Sequence, residues 1–402
     1  MHPHSPLAGS LPDGRKPTPT NASPSGKSIS NYSIETITTE QGLGSIEDDW
    51  NRLSEAVEQP NVFMTFDWSR AWNQPFTQED RGGRRRLNVL VLKKDGAVVG
   101  ISSLVRRKVS RFGFGVRKVE FLGTEGDYND LVLGYDTAGQ TEAIVNFFAQ
   151  SQNEWDLVDL RDLRDTGNGL ALIERALSHE GLTYRVLPEK DRCPYLLINA
   201  SWPVMLNRLS RRERQRFRAQ QTRLDQMRAQ GLRVRIIENP LDEPRLLEKL
   251  IALERQKHVH GELSEPFIAK YPEVFHSLFD TLGPRGWIYV ALMELADRPI
   301  AWLLGFRCGK KLWDYLGAYD HSFAWLSPGT MLVPALLDYG FSHGYEEYDF
   351  LRGEESHKMR WATGFHQTYR LLIWRRHGIS RARAFVYLDL KKAVYRLFGK
   401  GE

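Results

Sequence analysis

The segment Asp349–Trp361, DFLRGEESHKMRW, packs Asp349, Arg352, Glu354, Glu355, His357, Lys358 and Arg360 around one glycine. Carboxylates, a histidine and cations held this close can move a proton and hold an anion, the two tasks of acid–base transfer chemistry. Gly353 allows a backbone turn that a side chain would obstruct. Taken alone, the run also fits an exposed helix start in which Glu354 and Lys358 form an i,i+4 ion pair. Its position directly after the strand pattern EEYDF favours chemistry, because strand ends border crevices in mixed α/β sheets.

Three further groups of residues have chemical types worth placing. Ser327, Pro328, Gly329 and Thr330 precede the apolar run MLVPALLDYGF, and a helix starting there would point free N–H groups at an anion such as a phosphate. The stretch Trp202–Gln230 is the most basic part of the chain, with Arg208, Arg211, Arg212, Arg214, Arg216 and Arg218 among its arginines. These point several ways around a helix, which fits a solvated face, with one or two left to grip an anionic substrate. Tyr319 closes the aromatic pattern Trp313, Tyr315, Gly317, Tyr319 at a strand end, where a phenol can donate a proton.

The elements around these residues come in the same order twice. The first half reads as two helices, a hairpin (LNVLVLKK, Asp95–Gly96, AVVGISSLVRRK), a strand VRKVEFLG, a helix and the strand WDLVDLRDL. The second half opens with long helices and repeats the plan as GWIYVALMEL, PIAWLLGFRCG, KLWDYLGAYD, a helix, EEYDFLRG and a closing strand QTYRLLIWRR. Phe121-Leu122-Gly123 parallels Tyr315-Leu316-Gly317, and Val158-Asp159-Leu160 parallels Tyr348-Asp349-Phe350. Each half therefore predicts a mixed α/β module with a mostly antiparallel sheet, whose third and fourth strands border a crevice.

Composition narrows the function classes. Positive charges exceed negative ones by only 5, which permits an anionic ligand without demanding nucleic acid. Cys193 and Cys308 offer neither a disulfide framework nor metal-ligand spacing, so no metal is expected. No run approaches the length needed to span a bilayer, and the Pro- and Ser-rich start lacks a signal-peptide core, so a cytoplasmic protein without membrane insertion is expected. Walker, GxGxxG, HExxH and GxSxG patterns are absent, which weighs against NTP hydrolysis, hydride transfer, zinc proteolysis and serine hydrolysis.

The run Leu209–Leu224, the stretch from GWIYVALMEL to KLWDYLGAYD, the SPG loop and DFLRGEESHKMRW together resemble the CelD-type members of the GNAT superfamily of N-acetyltransferases, which are associated with cellulose or exopolysaccharide production. The family's closing motif resembles D-F-x-x-G-x-E-x-Y-K. Asp349, Phe350, Gly353, Glu355 and Lys358 fit it, and His357 stands in place of the tyrosine. The double plan is also similar to the FemABX aminoacyl transferases, the nearest alternative, for which the basic helix would meet tRNA.

The resemblance implies tandem GNAT-like modules. The expected divisions are a disordered tail 1–32, a degenerate module 33–200, a catalytic module 201–378 and a basic tail 379–402. It also implies acetyl-CoA, or another acyl-CoA, as co-substrate and an amine on a small molecule or sugar as acceptor. The expected catalytic residues are Asp349, Glu355, Lys358 and Tyr319, with Glu355 or Asp349 as base. Ser327, Gly329 and Thr330 would meet the pyrophosphate, and Arg214, Arg352 and His357 the substrate. A non-catalytic accessory protein of polysaccharide synthesis is the third reading.

Overall fold

The strand Lys311–Tyr319 shows how the sequence builds the second module. Its residues alternate in facing direction, so Leu312 enters one apolar core and Trp313 the other. A seven-stranded sheet forms around it, in the order Leu232–Ile237, Ile288–Leu295, Arg298–Cys308, Lys311–Tyr319, Glu347–Asp349, Cys193–Leu197 and Gly364–His366. One face carries the helix Pro328–Ser342 with Leu332, Leu336 and Leu337. The other packs Trp302, Phe306 and Trp313 against Phe63, Trp68 and Tyr128 of the first module. The computed structural model describes residues 32–57, 60–79, 84–111, 114–134, 136–164, 169–259 and 266–388. Most of the expected tail 1–32, the segment 165–168 and the end of the stretch 379–402 lie outside them.

The first module departs from the expected simple meander. The chain breaks its strands at Asn88 and again at Ser103, so that one bent surface becomes two sheets. Asn88 N–H still bonds the Leu104 carbonyl at 3.1 Å, which holds the two breaks level. The four-stranded part runs Ser33–Ile37, Val89–Lys94, Ala97–Ser102 and Leu133–Gly134. The six-stranded part runs Arg85–Leu87, Leu104–Arg111, Phe114–Phe121, Leu157–Arg164, Thr368–Trp374 and Thr183–Pro188.

Strand exchange across the chain is the second departure. QTYRLLIWRR was expected to close the second sheet, yet Thr368–Trp374 pairs antiparallel with Leu157–Arg164 and Thr183–Pro188 of the first. In return, Cys193–Leu197 lies between Glu347–Asp349 and Gly364–His366 in the second sheet. Leu371 and Ile373 are buried in the first module's core, and that burial holds the strand there. The six- and seven-stranded sheets are thus each completed by a strand from the other half of the chain.

The basic helix Arg211–Arg228 forms on a capping box: Ser210 accepts from Glu213 N–H while Glu213 accepts from Ser210 N–H. Phe217, Leu224 and Met227 turn inward, and most of the arginines stay in water. Among the described residues no helix is long and apolar enough to cross a membrane.

Candidate active site at the fork of the second sheet

Lys311–Tyr319 and Glu347–Asp349 are parallel, as a strand–helix–strand crossover requires. They pair over only three positions, ending at Trp313 and Asp349. Beyond that point Lys311–Tyr319 continues to Tyr319, while Phe350 turns away to bond the carbonyl of Pro194 at 2.9 Å. The result is a fork that leaves one strand edge without a partner strand. The first module has the same parallel pair, Lys118 with Leu157 and Val119 with Val158. There the gap is closed by its own loop: Asn129 N–H bonds the Asp162 carbonyl at 2.8 Å, and Arg164 N–H bonds the Asn129 carbonyl at 3.0 Å.

The helix Pro328–Ser342 starts at the open end of the second fork. Pro328 takes the first helical position, where its missing N–H costs nothing. Ser327 sits at the cap in a left-handed conformation, φ 53°, and its side chain caps no N–H group. A Cβ on Gly329 would meet only Tyr319, at 3.9 Å, so the backbone there can be approached closely. Uncapped N–H groups, an open glycine and the helix dipole suit a pyrophosphate. Pro334 lies inside this helix and is buried. Leu351, on the opposite rim, also holds a positive φ of 53°.

Asp349 sits at the fork with 1 % exposure. Its Oδ1 accepts from Leu351 N–H at 2.8 Å, and its Oδ2 accepts from Tyr128 of the first module at 2.7 Å. Burial pushes its pKa up to about 6 against the opposing effects of His366 and the Tyr128 hydrogen bond. Its partner in position is Asp314, which sequence reasoning passed over. Asp314 follows Trp313, is 7 % exposed, and accepts from Tyr348 Oη at 3.2 Å on the helix side of the sheet. Burial pushes it up to about 6 as well, with Lys358 pulling down and Glu355 pushing up. The two carboxyls thus face opposite sides of the fork at neighbouring positions. The available signal was a lone acid inside the apolar strand KLWDYLGAY.

The remaining expected residues fall into two groups. Lys358 is nearly buried, donates to the Arg352 carbonyl at 2.8 Å and pairs with Glu355 at 3.1 Å. Burial raises the Glu355 pKa, but Lys358, a backbone N–H and His357 together outweigh it, so the carboxyl is held below its ordinary value. Half-buried His357 is held below its usual pKa by burial and by Lys358, which favours the neutral ring. Tyr319 is half-buried at the strand end with its ring tilted over His321, 4.9 Å between centroids. Thr330 is half-buried in the first helical turn.

Two expected substrate groups are engaged elsewhere. Arg214 donates to the carbonyls of Asn207 and Leu209, both at 2.7 Å, and so closes the end of the preceding short helix. Arg352 reaches across to the first module, where its Nη2 and Nε bond Asp127 Oδ1 at 2.6 and 3.0 Å. Glu347, Asp349 and His366 form a group with metal-ligand donor types. Lys311 already holds Glu347 at 3.0 Å and Tyr128 holds Asp349, so these charges have partners without an ion.

Residues 211–359 match the acetyltransferase (GNAT) domain family. The curated proteins contain no significant sequence match. In fold, the chain is similar to FemX, with a TM-score of 0.56 at 12% identity, covering 91% of this chain and 99% of that one. A conserved protein of unknown function from Bacteroides thetaiotaomicron VPI-5482 follows with a TM-score of 0.53 at 10% identity, over 85% of this chain and 100% of that one. L-PGS from Bacillus licheniformis gives 0.50 at 12% identity, over 85% and 96%. The matched segment contains both fork strands, the uncapped helix and Lys358, so the chain carries a GNAT acetyltransferase domain and is an acyltransferase.

Proposed function

We propose that the protein transfers an acyl group, acetyl in the simplest case, from an acyl-CoA to an amine held at the fork. The observation that supports this most is the open fork beside an uncapped helix start, within the segment that matches the GNAT domain. The pyrophosphate lies against Gly329 and Thr330, and the thioester reaches the unpartnered strand edge beyond Trp313, whose backbone groups polarise its carbonyl. The amine nitrogen forms the C–N bond as the C–S bond breaks. Asp349, on the first-module side, takes the amine proton; Asp314, on the helix side, returns one to the departing sulfur. A pKa near 6 lets each carboxyl exchange a proton close to neutrality. Lys358 and Glu355 hold the rim. The resemblance of the closing motif to CelD-type proteins, which are associated with polysaccharide production, supports an acceptor amine on a sugar or sugar-linked molecule.

Calorimetry with acetyl-CoA tests this reading. Wild-type protein binds it, and Gly329→Asp, which adds a charge with room for its Cβ, weakens binding by about tenfold or more. No binding at millimolar ligand would sink the reading.

The second reading is transfer from an aminoacyl-tRNA, favoured by the two-module likeness to FemX and by the exposed Arg211, Arg212, Arg216 and Arg218. Strongly salt-dependent tRNA binding that is lost in Arg216→Ala with Arg218→Ala selects it.

A further inference from the structure

The first module faces the fork with carboxylates. Tyr315 donates to the Glu125 carbonyl at 2.9 Å, and Asp127 grips Arg352, so the loop carrying Glu125 and Asp127 lies along the fork's first-module side. Behind it stands Asp162, 2 % exposed. Asp162 Oδ2 is 3.5 Å from Arg352, but its buried Oδ1 has no hydrogen-bond partner. Leaving a buried carboxyl oxygen unpaired is costly, so its retention beside a ligand face marks a place for an incoming donor.

The local charge supports a cationic donor. Asp127 acts on both Glu125 and Asp162, and Glu189 acts on Asp162, with Arg352 as the cation common to Glu125 and Asp162 and Lys270 acting on Glu125. Arg161, half exposed, lies 4.0 Å from Asp159. Burial, reinforced by Asp127 and Glu189 and opposed by Arg352 and Arg161, pushes Asp162 up to about 7. Glu125 is half-buried and the Arg352 side chain 38% exposed, so the outer part of the patch meets solvent while Asp162 lies buried behind it.

We propose that Glu125, Asp127 and Asp162 form the acceptor subsite of the fork, and that the acceptor carries an ammonium group in addition to the amine that is acylated. This rests on the acyl-transfer reading above. The attacking amine must be neutral, and a carboxylate wall would stabilise its protonated form instead. The wall therefore serves a different cationic group of the same molecule, which donates to Asp162 Oδ1 in a charge-assisted hydrogen bond. Diamines, polyamines and sugars with several amines have this chemistry.

The test is calorimetry on the full chain with spermidine as probe and acetyl-CoA as control. Spermidine binds saturably to the wild type, and Asp162→Asn weakens it by about tenfold while acetyl-CoA affinity stays unchanged. Should Asp162→Asn fail to fold, Glu125→Gln at the more exposed end of the wall shows the same selective weakening. Two results overturn the proposal: no saturable spermidine binding up to about 10 mM, or equal affinity in wild type and variant. Failure of acetyl-CoA to bind counts against the acyl-transfer reading alone, since the spermidine titration decides the acceptor subsite independently.

Discussion

Tyr128 donates a 2.7 Å hydrogen bond to Asp349, joining a loop of the first module to the fork of the second over 221 positions of sequence. Both residues are about 1 % exposed. The bond stabilises the charged form of a carboxyl that burial would otherwise neutralise.

Tyr128→Phe removes that donor and leaves Asp349 Oδ2 without its hydrogen bond. Urea denaturation should show a loss of about 1–3 kcal/mol. The Asp349 pKa should climb further, so the acid limb of the pH–rate profile moves to higher pH.

Arg352→Ala opens the clasp to Asp127 and Asp162. Because the Arg352 side chain is 38% exposed, solvent screening limits its worth, and the expected destabilisation is about 2 kcal/mol. Arg352→Lys should recover only part of it, since an ammonium cannot reproduce the paired N–H contacts with Asp127. Chemical denaturation of the three proteins checks the order.

Asp314→Asn keeps the shape of the fork but removes its helix-side proton carrier. Turnover should fall about 100-fold with acetyl-CoA affinity unchanged. Glu355→Gln, at an exposed rim position, should cost less than tenfold by the same arithmetic of a lost surface pair. Equal losses in the two variants would contradict the assignment.

Asp162→Asn should change the pH dependence of stability. The folded-state pKa of Asp162 is raised to about 7, above the ~3.9 of a free aspartate. Its favourable contribution is complete below the unfolded value and is lost as pH rises through the folded one. The variant should therefore melt about 2 °C or more above wild type at pH 8 and close to it at pH 4.

Arg214→Ala separates structure from binding. Losing two bonds to the carbonyls of Asn207 and Leu209 should cost about 1 kcal/mol in a thermal melt and leave acyl-CoA affinity unaltered.

The sequence by itself determined the mixed α/β class, a helix beginning between Pro328 and Met331 and a strand through Glu347–Asp349, but it paired Lys358 with Glu354, where the structure pairs Lys358 with Glu355 and gives Glu354 to Arg192. All of these depend on local pattern: strand alternation, a proline at a first helical turn, and side chains a few residues apart. Asp349 was legible as a residue at a strand end. Its burial was not, because Tyr128 meets it from the other module. Arg214 and Arg352 were legible as cations, but their partners lie in a helix end and a distant loop. Only the tertiary structure decided that Thr368–Trp374 belongs to the first sheet and Cys193–Leu197 to the second. Short apolar strands carry a period but no address; the address comes from which buried surface accepts them. The same long-range packing left Asp162 Oδ1 buried and unpaired, and no spacing along the chain could announce that.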